Sequence, residues 1–189
     1  MNMRLKKSSR IVPTQSQRTE PASVIIFTDG ACIGNPGQGG YGVVLVDGLR
    51  RIELSGGFRL TTNNRMELMA AIVGLETLQV QSKVKIYTAS KYVQEGIGRG
   101  WARSWRASGW RRRKGTRTNS DLWDRVLKRC DYHDVEFIWV PGHSGSAENE
   151  RCDWLATQAA RRDNLIVDLG YQAAKMSLKG ADAQLAFAL

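Results

Sequence analysis

The sequence predicts an α/β fold built on a five-stranded mixed sheet flanked by helices. Two observations carry this prediction. Residues 24–58 contain three segments of strand character separated by Gly-rich turns, and from residue 63 onward segments of helical and strand periodicity alternate. Consecutive strands joined by short turns pair antiparallel, whereas strands separated by helices pair parallel, so the predicted sheet contains both kinds of pairing.

The strands are predicted from short runs rich in β-branched and aromatic residues. The run Val24–Asp29 indicates a buried strand, and Tyr41–Val46 and Arg51–Phe58 alternate enough to be its antiparallel neighbours. Lys83–Thr88 alternates as a fourth strand, and Val135–Val140 is expected to be the fifth. The first three strands therefore form a meander that the other two extend.

Helices are predicted where apolar residues recur at a spacing of three or four. This spacing begins after Asn63, so Asn63 or Asn64 is expected to cap the first helix, with Glu67 in its first turn. Ser90 is expected to cap a short helix after the fourth strand. Two further helices are predicted around Leu122–Leu127 and over Glu148–Arg161.

Composition favours a soluble single domain with a polyanionic partner. The chain has 189 residues, 42% of them hydrophobic, which is enough for a core. Its 28 Lys and Arg against 18 Asp and Glu give a formal charge of +10, and such a charge favours binding to a polyanion. No apolar stretch approaches the roughly 18 residues of a membrane-spanning helix, so no membrane association is expected. A monomer is the default expectation.

The three cysteines indicate a reducing compartment. Cys32, Cys130 and Cys152 are odd in number and have no CxxC spacing, so neither a disulfide framework nor a zinc site is predicted. We therefore expect the protein to be cytoplasmic.

The two ends of the chain differ from its middle. Residues 1–21 are basic, lack the apolar region of a secretory signal, and are predicted to form a disordered tail. Their Arg, Lys and Ser content also fits a transit peptide, although the apolar face that such a peptide needs is thin. Residues 22–172 form the predicted domain. Residues 173–189 form an Ala-rich C-terminal extension, either a tail or a short docking helix.

Two carboxylates stand where neighbouring elements are expected to meet. Asp29 ends a predicted strand and Glu67 lies near the start of a predicted helix. Hard oxygen ligands of this kind suit Mg²⁺ or Mn²⁺ better than zinc. Taken singly, however, an Asp at a strand end is usually a turn former and a Glu near a helix start usually complements the helix dipole. A metal site is therefore predicted only from the longer motifs around them.

Three segments together resemble ribonuclease H of type I, the bacterial type. They are the Gly-rich segment 27–42, the Thr-Thr-Asn-Asn-Arg-Met-Glu-Leu segment 61–68, and the segment 142–153, which begins Gly-His-Ser-Gly and ends Glu-Arg-Cys-Asp. The resemblance extends from Ser23 to Gln172 and makes residues 22–172 a ribonuclease H domain. It implies a ribonuclease H-like fold and an endonuclease that hydrolyses the RNA strand of RNA–DNA hybrids.

The same resemblance implies a two-metal mechanism, with two Mg²⁺ or Mn²⁺ ions flanking the scissile phosphate. Asp29 would bridge both ions, Asp153 would hold the ion on the side of the attacking water, and Glu67 would hold the other. His143 would assist proton transfer or product departure. The products would carry 5′-phosphate and 3′-hydroxyl ends.

One catalytic and metal-binding position departs from the family pattern. The fourth strand of the family ends Thr-Asp-Ser, whereas this chain has Ala89 at the position of the aspartate. Loss of this ligand is expected to leave the chain nearly inactive, because about 4 kcal/mol of lost metal stabilisation corresponds to roughly 10³-fold in rate. We favour an engineered Asp-to-Ala change, because the surrounding motifs match an active enzyme. The alternative is a natural, non-catalytic RNA–DNA hybrid-binding protein on the same fold.

Discrimination of a hybrid requires contacts to 2′-hydroxyls on one strand and to phosphates on the other. Small polar side chains and backbone amides can make these contacts. By resemblance, Thr62 belongs to a pocket for a DNA phosphate, and Lys91 stands where the family often has Gln. Without the motifs, the asparagines would be interpreted as turn and cap residues. The residues assigned to the groove by resemblance are Cys32, Gly34, Asn35, Thr62, Asn63, Asn64 and Lys91.

The segment 101–114 matches the basic protrusion of bacterial members. Its tryptophans lie roughly one helical turn apart among cations, which suits a grip on the DNA strand. The alternative is that the tryptophans pack a solvated basic helix onto the core, and we expect both descriptions to apply in part. The residues concerned are Trp101, Trp105, Arg106, Trp110, Arg111, Arg112, Arg113 and Lys114.

Two other classes of protein are less consistent with these residues. Another nuclease or an integrase of the same broad fold would share the carboxylates, but the pair Asn63 and Asn64 and the basic protrusion argue against it. A basic binding module without an active site would leave the carboxylates unexplained. Choice between a hybrid and duplex DNA as substrate would separate these classes.

Overall fold

The computed structural model describes residues 23–113, 115–142 and 145–186, with side chains up to residue 177. Five strands form one sheet in which β1 is central, in the order β3-β2-β1-β4-β5. β1 pairs antiparallel with β2 and β2 with β3, while β1 pairs parallel with β4 and β4 with β5. The predicted five-stranded mixed sheet is thereby confirmed. The strands are β1 (Ser23–Gly34), β2 (Gly37–Asp47), β3 (Arg50–Thr61), β4 (Lys83–Thr88) and β5 (Asp134–Trp139).

Helices cover both faces of the sheet. One helix, α5, packs against β1, β2 and β3, and α1 lies on the opposite face with α4 beside it. Ser90 caps α2 as predicted, because its hydroxyl oxygen accepts a hydrogen bond from the Val93 N–H at 3.3 Å. The helices are α1 (Asn63–Glu76), α2 (Lys91–Gly98), α3 (Trp101–Ala107), α4 (Ser120–Tyr132), α5 (Ala147–Ala160) and α6 (Leu169–Ala186).

The first three strands are longer than predicted, and β1 and β2 continue through glycines. β1 and β2 stay paired from Ile25 opposite Val46 to Gly34 opposite Gly37. A Cβ atom at Gly40 would strike the backbone and side chains of α5. These glycines therefore serve close helix packing as well as turns, which local sequence alone does not reveal.

The start of α1 differs from the prediction in two respects. Its N-cap is Thr62, whose extended backbone directs its carbonyl oxygen to the N–H groups of Arg65 and Met66 at 3.1 and 3.2 Å. Asn63 instead directs its side-chain amide towards Glu67, with Nδ2 and Oε1 3.5 Å apart. The prediction of an Asn63 or Asn64 cap is wrong, and Glu67 lies in the second helical turn rather than the first.

The larger part of the core lies between the sheet and the face covered by α1 and α4. Trp123 of α4 is fully buried there with side chains from α1, α2 and α3, and a neighbouring cluster joins α1 to β1, β2 and β4. On the other face, Val44 packs with Cys152 and Leu155 of α5. The sheet is thus held on both faces, which fixes where its strand ends lie. The largest buried side chains of the main core include Ile26, Met66, Leu68, Ile72, Leu75, Ile86 and Leu127.

Helix α6 occupies most of the segment predicted as an extension. The boundary predicted between residues 172 and 173 falls inside this helix. Asp168 precedes it and accepts a hydrogen bond from the Tyr171 N–H at 3.0 Å. Among the described residues, none of the helices has the combination of length and apolar character that crossing a bilayer requires.

A buried histidine makes the stability of the fold depend on pH. His133, 4% exposed, accepts a hydrogen bond at Nδ1 from the Ser82 N–H at 3.3 Å. Burial lowers the pKa of His133, and the positive charge of Arg129 adds to the effect. Because the unfolded chain binds this proton more readily, stability is full above the unfolded pKa of about 6.5 and falls as pH decreases through the folded pKa.

We expect the free energy of unfolding to decrease as the pH is lowered from 7.5 to 5. The part of this decrease that protonation of His133 causes should be absent in His133→Gln, whose amide oxygen can still accept a hydrogen bond from the Ser82 N–H. Urea unfolding at both pH values measures it. An equal decrease in both proteins would show that protonation of His133 does not contribute.

Candidate active site

Asp29 lies in the central strand and is held by its own backbone neighbour. Its Oδ1 accepts a hydrogen bond from the Gly30 N–H at 2.8 Å. In the β1–β2 register it stands opposite Gly42. The side chain is half-buried, in the middle of a sheet that is covered on both faces.

Two glycines bring helices from both faces close to Asp29. A Cβ atom at Gly30 would strike the backbone of Met66 and Glu67, so the absence of a side chain lets α1 approach β1. A Cβ atom at Gly42 would likewise strike the backbone of α5 at Cys152. Glu67 and Asp153 are therefore carried to Asp29 by close backbone approach, which glycine permits.

Glu67 is buried close to the two aspartates. It is 6% exposed, and its Oε2 has no hydrogen-bond partner within the described part of the chain. Burial raises the pKa of Glu67 well above its usual range, and the negative charges of Asp29 and Asp153 add to this rise. The three carboxylates therefore act on one another electrostatically, and a cation among them would relieve both burial and repulsion.

The donor set fits a hard divalent cation in its chemistry. Asp29, Glu67 and Asp153 offer carboxylate oxygens, and the unpartnered Glu67 oxygen is a ligand atom without another task. In the ranges that the structure describes, however, no three His, Cys, Asp or Glu side chains are grouped closely enough to hold an ion. Ala89, at the remaining predicted ligand position, has no side-chain oxygen. The chemistry of a metal site is present, but not a closed ligand cluster.

Position 89 follows directly on β4 and lies beside β1. Thr28 and Thr88 are partners in the parallel β1–β4 register, so the residues after them, Asp29 and Ala89, lie at the same level of the sheet. A Cβ atom at Gly142, after β5, would lie 4.0 Å from the Ala89 Cβ. The predicted residue His143 follows in the chain but lies outside the described residues, as does Lys114.

The charge of Glu67 gives a second pH-dependent prediction. Its folded pKa is raised, so its contribution to stability is present below the unfolded pKa of about 4.3 and is lost as pH rises through the folded value. Glu67→Gln removes this loss, and we expect it to stabilise the metal-free protein at pH 8 by on the order of 1–3 kcal/mol, the range for an unsatisfied buried polar group.

The gain in stability of Glu67→Gln should disappear below pH 4. Urea unfolding at pH 8 and below pH 4 measures it. Glu95→Gln, which alters an exposed pair with Arg99, serves as the control and should change stability by less than about 0.5 kcal/mol. A gain for Glu67→Gln that is the same at both pH values would contradict this explanation.

The predicted groove residues, apart from Lys91, lie together at one end of the sheet. Asn35 accepts a hydrogen bond at Oδ1 from the Asn63 N–H at 3.3 Å. The Cys32 thiol donates to the Thr61 carbonyl oxygen at 3.6 Å. The turn between β1 and β2 is thus tied to the start of α1. Of the remaining groove residues, Gly34 and Asn64 are exposed and Thr62 is half-buried.

The predicted protrusion contains packed aromatic rings and exposed cations. Trp105 packs edge to face with Trp123 of the core, their ring centroids 6.1 Å apart, while Trp101 is 37% exposed. Arg106 is paired with Asp131 at 2.8 Å. Core packing thus accounts for Trp105, in agreement with the prediction that the tryptophans pack a basic helix onto the core. Trp110 begins a turn that Arg117 closes by donating its N–H to the Trp110 carbonyl oxygen at 2.8 Å, and the exposed cations on this turn are Arg111, Arg112 and Arg113.

Two features beside the site were not predicted. Arg65, 3% exposed, makes bidentate hydrogen bonds to Asp168 and to Asp121, with N–O distances of 2.7 to 2.9 Å. The Trp139 indole N–H donates to the Ala89 carbonyl oxygen at 3.1 Å. Arg65 belongs to the motif around Glu67, so the motif indicated that Arg65 is important. Its partners, however, are distant in sequence and could not be predicted. No sequence motif pointed to a role for Trp139.

Comparisons with known proteins identify a matching family model and close relatives. The family model described as RNase H matches residues 21–161. A protein named Ribonuclease H from Trichodesmium erythraeum (strain IMS101) is 55% identical over 157 residues, which cover 82% of this chain and 98% of that protein. Another Ribonuclease H, from Desulforamulus reducens, is 56% identical over 155 residues, with the same coverage of both chains.

Solved structures show the same fold. LC9-RNase H1, described as a type 1 RNase H with the type 2 active-site motif, has a TM-score of 0.69 and 31% identity, covering 84% of this chain and 82% of that one. LC11-RNase H1, solved in complex with an RNA/DNA hybrid, has a TM-score of 0.57 and 26% identity, covering 72% of this chain and 96% of that one.

Proposed function

This chain belongs to the RNase H family, and from that premise we propose that its fold is built to hydrolyse the RNA strand of RNA–DNA hybrids as an endonuclease. The observation that supports the proposal is the buried Glu67, on which the negative charges of Asp29 and Asp153 act, in a region where Gly30 and Gly42 let helices from both faces approach β1 and β2 closely. Buried, mutually repelling carboxylates are costly to a fold unless a cation compensates them.

The carboxylates would hold Mg²⁺ or Mn²⁺, two ions in an intact site. When bound, the ions would activate the attacking water and stabilise the leaving 3′ oxygen, giving 5′-phosphate and 3′-hydroxyl ends. By resemblance to the family, Asp29 would serve both ion positions, with Asp153 on the side of the water and Glu67 on the other. His143 would move a proton or assist product departure.

The substrate would lie across the groove residues and reach the basic protrusion. Small polar groups and backbone amides around Thr62, Asn63 and Asn35 would contact 2′-hydroxyls and phosphates, and the hydrogen bond from Asn63 to Asn35 supports their acting as one surface. The exposed cations of the turn after α3 would attract the phosphates of the DNA strand, so binding should weaken as salt is added. The structure of LC11-RNase H1 with a hybrid supports this substrate class.

Ala89 favours a second candidate function. With a methyl group at a ligand position, the chain as it stands would bind a hybrid but scarcely cut it. A natural, non-catalytic hybrid-binding protein on the same fold would have this property too. We also propose a monomer acting in the cytoplasm, in keeping with its three free cysteines.

A comparison of substrates tests the proposal. The chain and its Ala89→Asp variant are incubated with Mg²⁺ and end-labelled RNA–DNA hybrid, duplex RNA or duplex DNA, and binding is measured separately in Ca²⁺. We expect both proteins to prefer the hybrid and the variant to cut only its RNA strand, leaving 5′-phosphates. Cleavage of duplex DNA would indicate a nuclease of another class, and hybrid binding without cleavage by either protein would favour the second candidate.

A further inference from the structure

The turn that carries position 89 is fixed on both sides by hydrogen bonds. The Ser90 N–H donates to the Thr88 hydroxyl oxygen at 3.1 Å, which closes the turn locally. The Val140 N–H, from the segment after β5, donates to the Thr88 carbonyl oxygen at 3.0 Å. The first bond joins the residues before and after Ala89, the second holds only the residue before it, and neither holds Ala89 itself.

The bond to residue 89 comes from a side chain. The Trp139 indole N–H donates to the Ala89 carbonyl oxygen at 3.1 Å. Trp139 stands opposite Thr88 in the parallel β4–β5 register, so its ring lies on the sheet face that also carries α2. It is 39% exposed, so part of the ring faces solvent.

The ring of Trp139 is also in contact with a cation. The Lys91 ammonium lies 4.9 Å from its centroid, within the range of cation–π attraction. Lys91 is the first residue of α2 and was predicted to contact substrate. Its observed contact joins α2 to Trp139. The indole ring therefore contacts α2 through Lys91 and the turn through its N–H group.

We propose that Trp139 is a positioning residue for the active site: it fixes the peptide group that follows residue 89 and so the direction in which that side chain enters the site. This inference rests on the proposed function, because the direction of the residue-89 side chain matters only if that side chain belongs to an active site. The residue-89 side chain and carbonyl group leave the same Cα atom, so rotation of the peptide displaces both. Catalytic groups must be held to within about 0.5 Å by such supporting contacts.

The first test uses the chain as it is, without catalysis. Trp139→Phe keeps an aromatic ring but removes the donor, and we expect the Ser90 amide to exchange its hydrogen about fivefold faster by NMR, as loss of one neutral hydrogen bond predicts. Trp154→Phe is the matched control, because Trp154 is also exposed and also carries a cation, Arg151, over its ring at 4.3 Å. It should leave Ser90 exchange unchanged. Unchanged exchange in Trp139→Phe would overturn the proposal.

The second test adds both substitutions to Ala89→Asp. Trp139→Phe should lower kcat for hybrid cleavage about tenfold with KM changed less than about twofold, because a misdirected ligand impairs chemistry and not hybrid binding. Trp154→Phe should alter neither. Faster Ser90 exchange with unchanged kcat would also overturn the positioning role. If Ala89→Asp cuts no hybrid, the proposed function fails, and Ser90 exchange alone then decides whether Trp139 holds the turn.

Discussion

Ala89→Asp is expected to raise the rate of hybrid cleavage by about 10³-fold, which corresponds to roughly 4 kcal/mol of transition-state stabilisation. Position 89 lies level with Asp29 on the neighbouring strand, and Gly142 leaves space beside it. An aspartate there would add a full negative charge where divalent cations are proposed to bind. The measurement is the single-turnover rate with excess protein and saturating Mg²⁺, which separates chemistry from product release.

Ala89→Asn is the matched control for this gain. Asparagine has nearly the shape of aspartate but no charge, so it should recover only a small part of the rate. The Mg²⁺ concentration for half-maximal rate should also be lower in Ala89→Asp than in Ala89→Asn. Equal rates for the two variants would mean that shape, not charge, limits the site. No gain in either, with hybrid binding intact, would indicate a protein that binds without cutting.

The added charge should have a cost in the absence of metal. A fourth carboxylate beside Asp29 and the buried Glu67 increases the repulsion that already raises the pKa of Glu67. The site is therefore a place where function and stability oppose each other. The Glu67→Gln and Ala89→Asp changes act on the same repulsion in opposite directions, so their effects on stability should not be additive.

Local patterns in the sequence predicted the elements whose residues alternate clearly. β4 occupies Lys83–Thr88 as predicted, because Val84 and Ile86 are buried while Lys83 and Lys85 are exposed to solvent. The extensions of β1 and β2 were not predictable, because glycine locally favours turns. The packing of α5 on Gly40 explains why a glycine in the extension of β2 belongs to a strand.

The candidate site was predictable as far as its motifs extended. Asp29, Glu67 and Asp153 were expected to be neighbours, and the negative charges of Asp29 and Asp153 help to raise the pKa of the buried Glu67. The supporting contacts were not predictable, because they join residues far apart in the chain. Arg65 and Asp168 are 103 positions apart, and Trp139 is 50 positions from the carbonyl group that it binds.

Arg65→Met is expected to destabilise the protein by about 3–5 kcal/mol, the cost of removing one partner from a buried ion pair. Arg65 bonds Asp168 through Nε and Nη2, both at 2.7 Å, and the Thr61 hydroxyl donates to the same carboxylate at 2.7 Å. Burial alone would raise the pKa of Asp168, but the hydrogen bonds from Arg65, Thr61 and the Tyr171 N–H hold it below its usual range. Without Arg65 the carboxylate would be buried with its charge uncompensated.

The sign of the pH dependence follows from that direction. A depressed folded pKa contributes stability above the unfolded value of about 3.9, and this contribution is lost as pH falls through the folded pKa. The difference between the parent and Arg65→Met should therefore be largest near pH 7 and shrink towards pH 3. At neutral pH the loss corresponds to a decrease in Tm of roughly 6 to 20 °C for a protein of this size.

Arg125→Met provides the control that isolates burial. Arg125 makes the same bidentate geometry with Glu76, at 2.8 and 2.7 Å, but its side chain is 43% exposed. Exposed pairs contribute about 0–1 kcal/mol, so this variant should unfold at nearly the urea concentration of the parent. Equal losses in the two variants would contradict the role of burial. A double change, Arg65→Met with Asp168→Asn, should recover part of the stability, because it removes the charge that Arg65 compensates; no recovery would mean that Arg65 acts mainly through Asp121 and packing.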